Sequence, residues 1–128
     1  MERCTASGNG GDGIALHGSG GTVCDNTASS NKERGITIST THVEYATNRC
    51  SSNGGDGIEV AAGSGNVLRG NFVSGNTGNG VSLRSNGNRL YENAGGEQSN
   101  PLYEQAGTTN DTSSGSTAAA SGLHNVGF

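Results

Sequence analysis

Apolar residues along the chain come in pairs two positions apart, and the pairs return at a nearly fixed distance. Gly13-Ile14-Ala15-Leu16, Gly35-Ile36-Thr37-Ile38, Gly57-Ile58-Glu59-Val60 and Gly80-Val81-Ser82-Leu83 form one series, spaced from Ile14 onward by 22, 22 and 23 residues. A second apolar column reads Val23, Tyr45, Leu68 and Leu90, with Met1 one repeat earlier. A third reads Ala6, Ala28, Cys50 and Val73. A period of two marks a strand with one face turned inward. Helical spacing never persists, and so much glycine would penalise any helix. Each repeat therefore predicts three short strands separated by corners, with every strand stacked on its equivalent about 4.8 Å away.

The polar positions keep the same phase. Asparagines recur at Asn9, Asn31, Asn53 and Asn76, and again at Asn26, Asn48, Asn71 and Asn93. Serines recur at Ser7, Ser29, Ser51 and Ser74, completing an Asn-x-x-Ser-x-Asn pattern. Stacked asparagines bond amide to amide between neighbouring strands, and Asn and Gly tolerate the left-handed backbone that sharp corners require. These columns are expected to be structural ladders. The residue before each strand glycine is Asp12, Arg34, Asp56 or Asn79. Stacking sets Arg34 between two aspartates, an exposed arrangement worth about 0–1 kcal/mol per pair. The expected fold is all-β, a right-handed parallel β-helix of about four to five coils, three strands each, over residues 1–106.

Composition would otherwise mislead. With 24 glycines, 29% apolar residues and no Trp, the chain looks like a low-complexity segment unable to bury a core. A solenoid is free of that limit, because it needs only a thin internal column and bonds its backbone from coil to coil. The net charge of −4 and the scattered basic residues argue against nucleic acid. Met1-Glu2-Arg3-Cys4 is not the start of a signal peptide, and no apolar run is long enough to span a membrane. Cys4, Cys24 and Cys50 show no C-x-x-C spacing, and their odd number leaves at least one thiol unpaired.

Asn-x-x-Ser-x-Asn together with Gly-Asp-Gly-Ile and Gly-Ser-Gly-Asn-Val resembles the parallel β-helix repeat of the pectate-lyase-like superfamily, over about residues 4–93. The resemblance implies the fold and an extracellular or periplasmic location. It does not select an activity, because the superfamily holds polysaccharide lyases, glycoside hydrolases, uronate C5-epimerases, NosD-type periplasmic proteins, phage tailspikes and adhesins. The function it implies is a module of a polysaccharide-acting or polysaccharide-binding protein, mainly scaffold. The alternatives are a structural or adhesive surface solenoid, and a polysaccharide lyase or uronate C5-epimerase. Catalysis by this chain alone is not expected.

The repeat fades after Asn93. Leu102 and Tyr103 near the phase of Val81 predict the start of a fifth coil, with Pro101 at an edge or corner. Residues 107–122 read as a polar linker, and the apolar return from Leu123 to Phe128 as a cap strand, so residues 107–128 form a separate segment. Met1 falls where an inward residue of an earlier coil would lie, which predicts that the chain is the C-terminal piece of a longer β-helix. Exposed end coils predict end-to-end self-association.

Outward strand positions are the natural places for a site. Two columns, Ala15-Thr37-Glu59-Ser82 and His17-Ser39-Ala61-Arg84, lie on the Gly-Ile strands, and Cys24-Ala46-Arg69-Tyr91 on the next. Glu59, Arg69, Arg84 and Tyr91 form the candidate ligand-binding patch, since saccharide sites commonly combine a carboxylate, arginines and an aromatic face; a plain solvated surface is the competing reading. Asp12 and Asp56, two coils apart, suit a structural ladder better than the facing acids of a glycosidase. A superfamily lyase would carry an aspartate cluster for Ca²⁺ and an arginine base, and here no two acidic residues are expected close together on one outward face. The epimerase pattern of Tyr-Gly with Asp-Pro-His is missing, Pro101 being the single proline. Gly10-Gly-Asp-Gly13 and Gly54-Gly-Asp-Gly57 depart from the calcium nonapeptide, because Ala15 and Glu59 replace its aspartate. His17, His42 and His124 are too dispersed for a metal site, and one Met without a histidine cluster gives NosD-like copper binding no support. No cofactor is expected from the residues themselves, and Ca²⁺ enters only through the resemblance. Polysaccharide is the expected partner.

Overall fold

The computed structural model describes residues 1–96 and the backbone of residues 103–105. Fourteen short strands follow one another without a helix among the described residues. The first coil holds β1 (Thr5–Ser7), β2 (Ile14–Ser19) and β3 (Thr22–Cys24), and the second β4 (Thr27–Ser29), β5 (Ile36–Thr41) and β6 (Glu44–Ala46). The third coil holds β7 (Arg49–Ser51), β8 (Ile58–Ala62) and β9 (Val67–Arg69), and the fourth β10 (Phe72–Ser74), β11 (Val81–Leu83) and β12 (Arg89–Tyr91). A fifth begins with β13 (Ala94–Gly96) and β14 (Tyr103–Gln105). Every pairing is parallel, and the three sheets run β1-β4-β7-β10-β13, β2-β5-β8-β11-β14 and β3-β6-β9-β12. The molecule is a parallel β-helix of about four turns with three strands per turn.

The three apolar columns stand in register. Ile14 faces Ile36, Ile58 and Val81 in turn, and the backbone of Tyr103 pairs in register with Val81. Val23, Tyr45, Leu68 and Leu90 line a second wall, and Ala6, Ala28, Cys50 and Val73 a third. Ile36, Ile38, Tyr45, Ile58 and Leu68 are wholly shielded from solvent. Burying each such side chain contributes roughly 1.5–3 kcal/mol, so a chain with few apolar residues still stabilises a core by concentrating them in one column.

Asparagine ladders join the coils at the corners. The Asn26 backbone N–H and Nδ2 both donate to Asn48 Oδ1, at 3.1 and 2.9 Å. Asn48 repeats this with Asn71, and Asn71 with Asn93. The second column runs the same way from Asn9 through Asn31 and Asn53 to Asn76. The left-handed residue at each corner is the one before the asparagine, not the asparagine itself. Asp25, Thr47 and Glu92 have φ of 56°, 54° and 55°, and Gly70 fills the same place in the third coil. Ser30, Ser52 and Gly75 do so at the second corner. Non-glycine residues in this conformation cost about 1–2 kcal/mol each, which the ladder bond immediately downstream offsets.

A third ladder, not read from the sequence, occupies the remaining corner. Asn66 donates from its backbone N–H and Nδ2 to Asn88 Oδ1, at 3.2 and 3.0 Å. One coil earlier the position is Val43, whose N–H donates to Asn66 Oδ1. Thr40 supplies the missing side chain there: its hydroxyl donates to Asn66 Oδ1 and accepts from the buried Tyr45 hydroxyl, each at 2.8 Å.

The irregular spacing of 23 also has a structural cause. In the β5–β8 pair Ser39 stands opposite Ala62, not Ala61, with the register shifting after Ile38. Ala61 is thus the extra residue, extruded as a bulge. The expected column His17-Ser39-Ala61-Arg84 is broken at this point, and Arg84 follows β11, with its N–H bonded to Val60 O. The features expected at Pro101 and in residues 107–128 lie outside the described residues.

Candidate functional site

The sheet built on β2, β5, β8 and β11 carries a shallow groove on its outward side, about 410 Å³ in volume. Lys32, Glu33 and Arg34 line it from the second coil, Gly54, Gly55, Asp56 and Glu59 from the third, and Arg84 from the fourth. Local sequence shapes the floor. Gly54 and Gly55 lie directly against the preceding corner, where the Gly54 N–H bonds Asn31 O and the Gly55 N–H bonds Glu33 O at 2.7 Å. A side chain at Gly54 would strike the Lys32 carbonyl, and one at Gly55 would press within 3.3 Å of Arg34 Cγ.

Glu59 is the centre of this groove. Its Oε2 accepts from Arg34 Nε at 2.8 Å and lies 3.5 Å from Arg84 Nε. The Glu59 side chain is 8% exposed, whereas Arg34 and Arg84 are 36% and 46% exposed. The arginines therefore cover the carboxylate while keeping surface toward water. Arg34 does not bridge two aspartates. Its guanidinium lies 3.6 Å from Asp12 and takes Glu59, not Asp56, as its second acid. Because Glu59 is nearly buried, removing Arg34 would cost more than breaking the exposed ladder that spacing suggested, since part of the carboxylate desolvation would lose its compensation. Burial pulls the Arg34 guanidinium down, and Glu59 and Asp12 more than reverse it, leaving it above the ordinary arginine range.

The aspartates have a different task. Asp12 Oδ1 accepts from the Arg34 backbone N–H at 2.9 Å, and Asp56 Oδ1 from the Asn79 N–H at 2.7 Å. They extend the ladder principle to the entry of each Gly-Ile strand. Gly78 permits the second bond, since a Cβ there would collide with Asp56 Oδ1. Burial raises the Asp56 carboxyl above its usual range; Glu59 adds to the rise, against the Asn79 amide and the two arginines.

The candidate patch divides between two sheets. Glu59 and Arg84 are brought together in the groove. Arg69 and Tyr91 are register partners on β9 and β12, in the neighbouring sheet. Arg69 Nε bonds Glu44 Oε1 at 2.5 Å, and that hydrogen bond with the carboxylate charge holds its guanidinium above the ordinary range. Arg89 lies 6.0 Å from the Tyr91 ring. Lys32, Glu33, Arg34 and Asp56 complete the groove, and sequence spacing missed them because they lie at corners, where side-chain direction does not follow strand alternation. On the third sheet the half-exposed Phe72 lies beneath Arg49 at 5.0 Å.

The sequence profile of the family described as periplasmic copper-binding protein (NosD) matches residues 1–121. Among solved structures, the chain is similar to a point mutant of the periplasmic alginate epimerase AlgG, with 26% identity, a TM-score of 0.67 and 73% of this chain covered. A second structure of the same epimerase matches at 25% identity, with a TM-score of 0.56 and 70% coverage. The chain spans only 23% and 28% of the chains in those two structures. A comparison with curated proteins finds no match.

The described residues do not fit a copper centre. No three His, Cys, Asp or Glu side chains among them converge. His17 stands opposite Ser39, His42 packs beside Gly65, and the Cys50 thiol is sealed in the apolar column. Cys24 and Cys4 both lie near Glu2, but the Cys24 thiol is raised, by burial first and then by Asp25 and Glu2, which disfavours the thiolate a soft metal needs. The profile match over residues 1–121 nevertheless settles descent: the chain belongs to the NosD family.

Proposed function

We propose that this chain is a β-helix module of a periplasmic or extracellular polysaccharide-binding or polysaccharide-acting protein, mainly scaffold, whose groove contacts an acidic glycan. The convergence of Arg34 and Arg84 over a groove extended by Lys32 carries this reading. Guanidinium groups bind planar carboxylates in a fork geometry, and a uronate presents such a carboxylate on every ring. The stacked coils hold these cations at fixed separation on a surface long enough for several sugar units. The similarity to a periplasmic alginate epimerase supports both the ligand class and the location. Any catalytic step belongs to the larger protein of which this would be a part.

Isothermal titration with an oligogalacturonate and with a neutral oligosaccharide of equal length tests the reading. The acidic sugar should bind and the neutral one should not, and Arg84→Ala should weaken binding about tenfold. Equal binding of the two sugars would refute the role of the arginines. The grip of Glu59 on both arginines favours a second reading, a structural or adhesive solenoid in which the groove is an internal ion-pair network. That reading expects neither sugar to bind.

A further inference from the structure

In the outward column Ala15, Thr37, Glu59 and Ser82, which continues in backbone register to Glu104 on β14, Glu59 is the acid that meets both arginines. Strand alternation turns this column away from the apolar interior, yet Glu59 is 6% exposed and Ser82 is fully buried. A single carboxylate oxygen, Oε2, faces the Nε of both arginines. This is the position a ligand carboxylate would occupy if clamped between Arg34 and Arg84. The Ser82 hydroxyl adds an independent observation. Opposite Glu59 in register on the adjacent strand, it has no hydrogen-bond partner among the described residues. Native proteins leave few such groups unsatisfied.

We propose that Glu59 is a built-in counter-ion that stands in for the carboxylate of the glycan, and that Ser82 marks the position to which it retires. In the free protein Glu59 neutralises Arg34 and Arg84 and holds them over the groove. An arriving uronate exchanges its carboxylate for that of Glu59, which turns to the Ser82 hydroxyl one strand away and satisfies it. Adjacent strands in register are about 4.8 Å apart, within reach of a glutamate side chain. Neutral sugars cannot make the exchange and leave the ion pair closed, so the pair acts as a filter for acidic rings. The inference rests on the proposed reading of the groove as a glycan site and adds the device that regulates it.

Titration of the oligogalacturonate into the wild type, Glu59→Gln, Glu59→Ala, Ser82→Ala and the Glu59→Ala/Ser82→Ala double variant decides it, with circular dichroism confirming each fold. Glu59→Gln should bind about five- to tenfold more tightly than wild type, since the competing charge is gone. Ser82→Ala should weaken binding about threefold with Glu59 present and leave it unchanged in the Glu59→Ala background, the coupling expected of two groups that meet in the bound state. If wild type binds and Glu59→Gln binds equally or more weakly, Glu59 merely positions the arginines and the exchange is refuted while the glycan reading stands. If Ser82→Ala acts equally in both backgrounds, the retirement step is refuted. If neither wild type nor Glu59→Gln binds, both the reading and the inference fall. Ser82→Ala leaves the ion pair intact, so it remains informative should a Glu59 variant fail to fold.

Discussion

Replacing Asn53 by alanine isolates what one rung of a ladder contributes. Asn53 is 1% exposed and sits in the middle of its column. Its Oδ1 accepts from the Asn31 backbone N–H at 3.1 Å and from Asn31 Nδ2 at 3.0 Å. Its Nδ2 donates to Asn76 Oδ1 at 2.9 Å and to Ala28 O at 3.1 Å. The bond from the Asn53 backbone N–H to Asn76 Oδ1 survives the substitution, and Asn31 Nδ2 retains Ala6 O. The Asn31 N–H is left buried without a partner, which costs about 1–3 kcal/mol, and the three other lost bonds cost about 1 kcal/mol each, giving a destabilisation of about 4–6 kcal/mol. At roughly 4 °C per kcal/mol for a domain of this size, the melting temperature should fall by about 15–25 °C. Asn9→Ala is the internal comparison. Asn9 is exposed, and its side chain makes one bond, to Asn31 Oδ1. That variant should lose about 1 kcal/mol at most. Circular-dichroism melts of the three proteins provide the test. Equal melting temperatures for Asn53→Ala and wild type would mean that the ladder records the fold without stabilising it.

Two further experiments probe the buried polar and thiol groups. The raised Asp56 carboxyl means that the folded chain holds this proton more tightly than the unfolded chain. Its contribution is therefore full below the ordinary carboxylate range and is lost as pH rises through the raised value. Asp56→Asn keeps an acceptor for the Asn79 N–H and removes the charge, so its melting temperature relative to wild type should climb between about pH 4 and neutrality; a constant difference contradicts the argument. Cys4 is exposed, Cys24 is partly covered and Cys50 is buried, with burial lifting its thiol far above the ordinary range. A thiol reagent should label Cys4 first, Cys24 more slowly and Cys50 only after denaturant is added. Reaction of all three in native buffer would show that the apolar column is open.

How much of this was legible depends on what a repeat encodes. In a solenoid, sequence spacing is spatial register, so Ile14, Ile36, Ile58 and Val81 could be aligned from the sequence alone, as could both asparagine columns. The third ladder escaped because two of its coils carry Gly21 and Val43, and Thr40 supplies the side chain from outside the column. The spacing of 23 showed that the third coil held an extra residue, but the pattern of apolar pairs could not place it at Ala61, since a bulge leaves the inward positions on either side unchanged. The site was the least legible part. Register gives the coil on which a side chain starts, not where a long side chain ends. Arg34 was read against its stacking neighbours Asp12 and Asp56, yet its guanidinium reaches past the corner to Glu59. Arg69 and Tyr91 are one coil apart in register, but the fold turns them onto another sheet from Glu59 and Arg84.

The ladders also give the solenoid a direction. Along each column the side-chain carbonyl accepts from the preceding coil, and the bonds between ladder asparagines are all donated forward to the next. The amide dipoles therefore align and reinforce one another along the axis, each bond polarising the next. Acceptors face one end of a column and donors the other, so a column is prolonged in a single sense. A stack built this way transmits a break in both directions, and it lengthens as a vector, head to tail, never as a mirror image of itself.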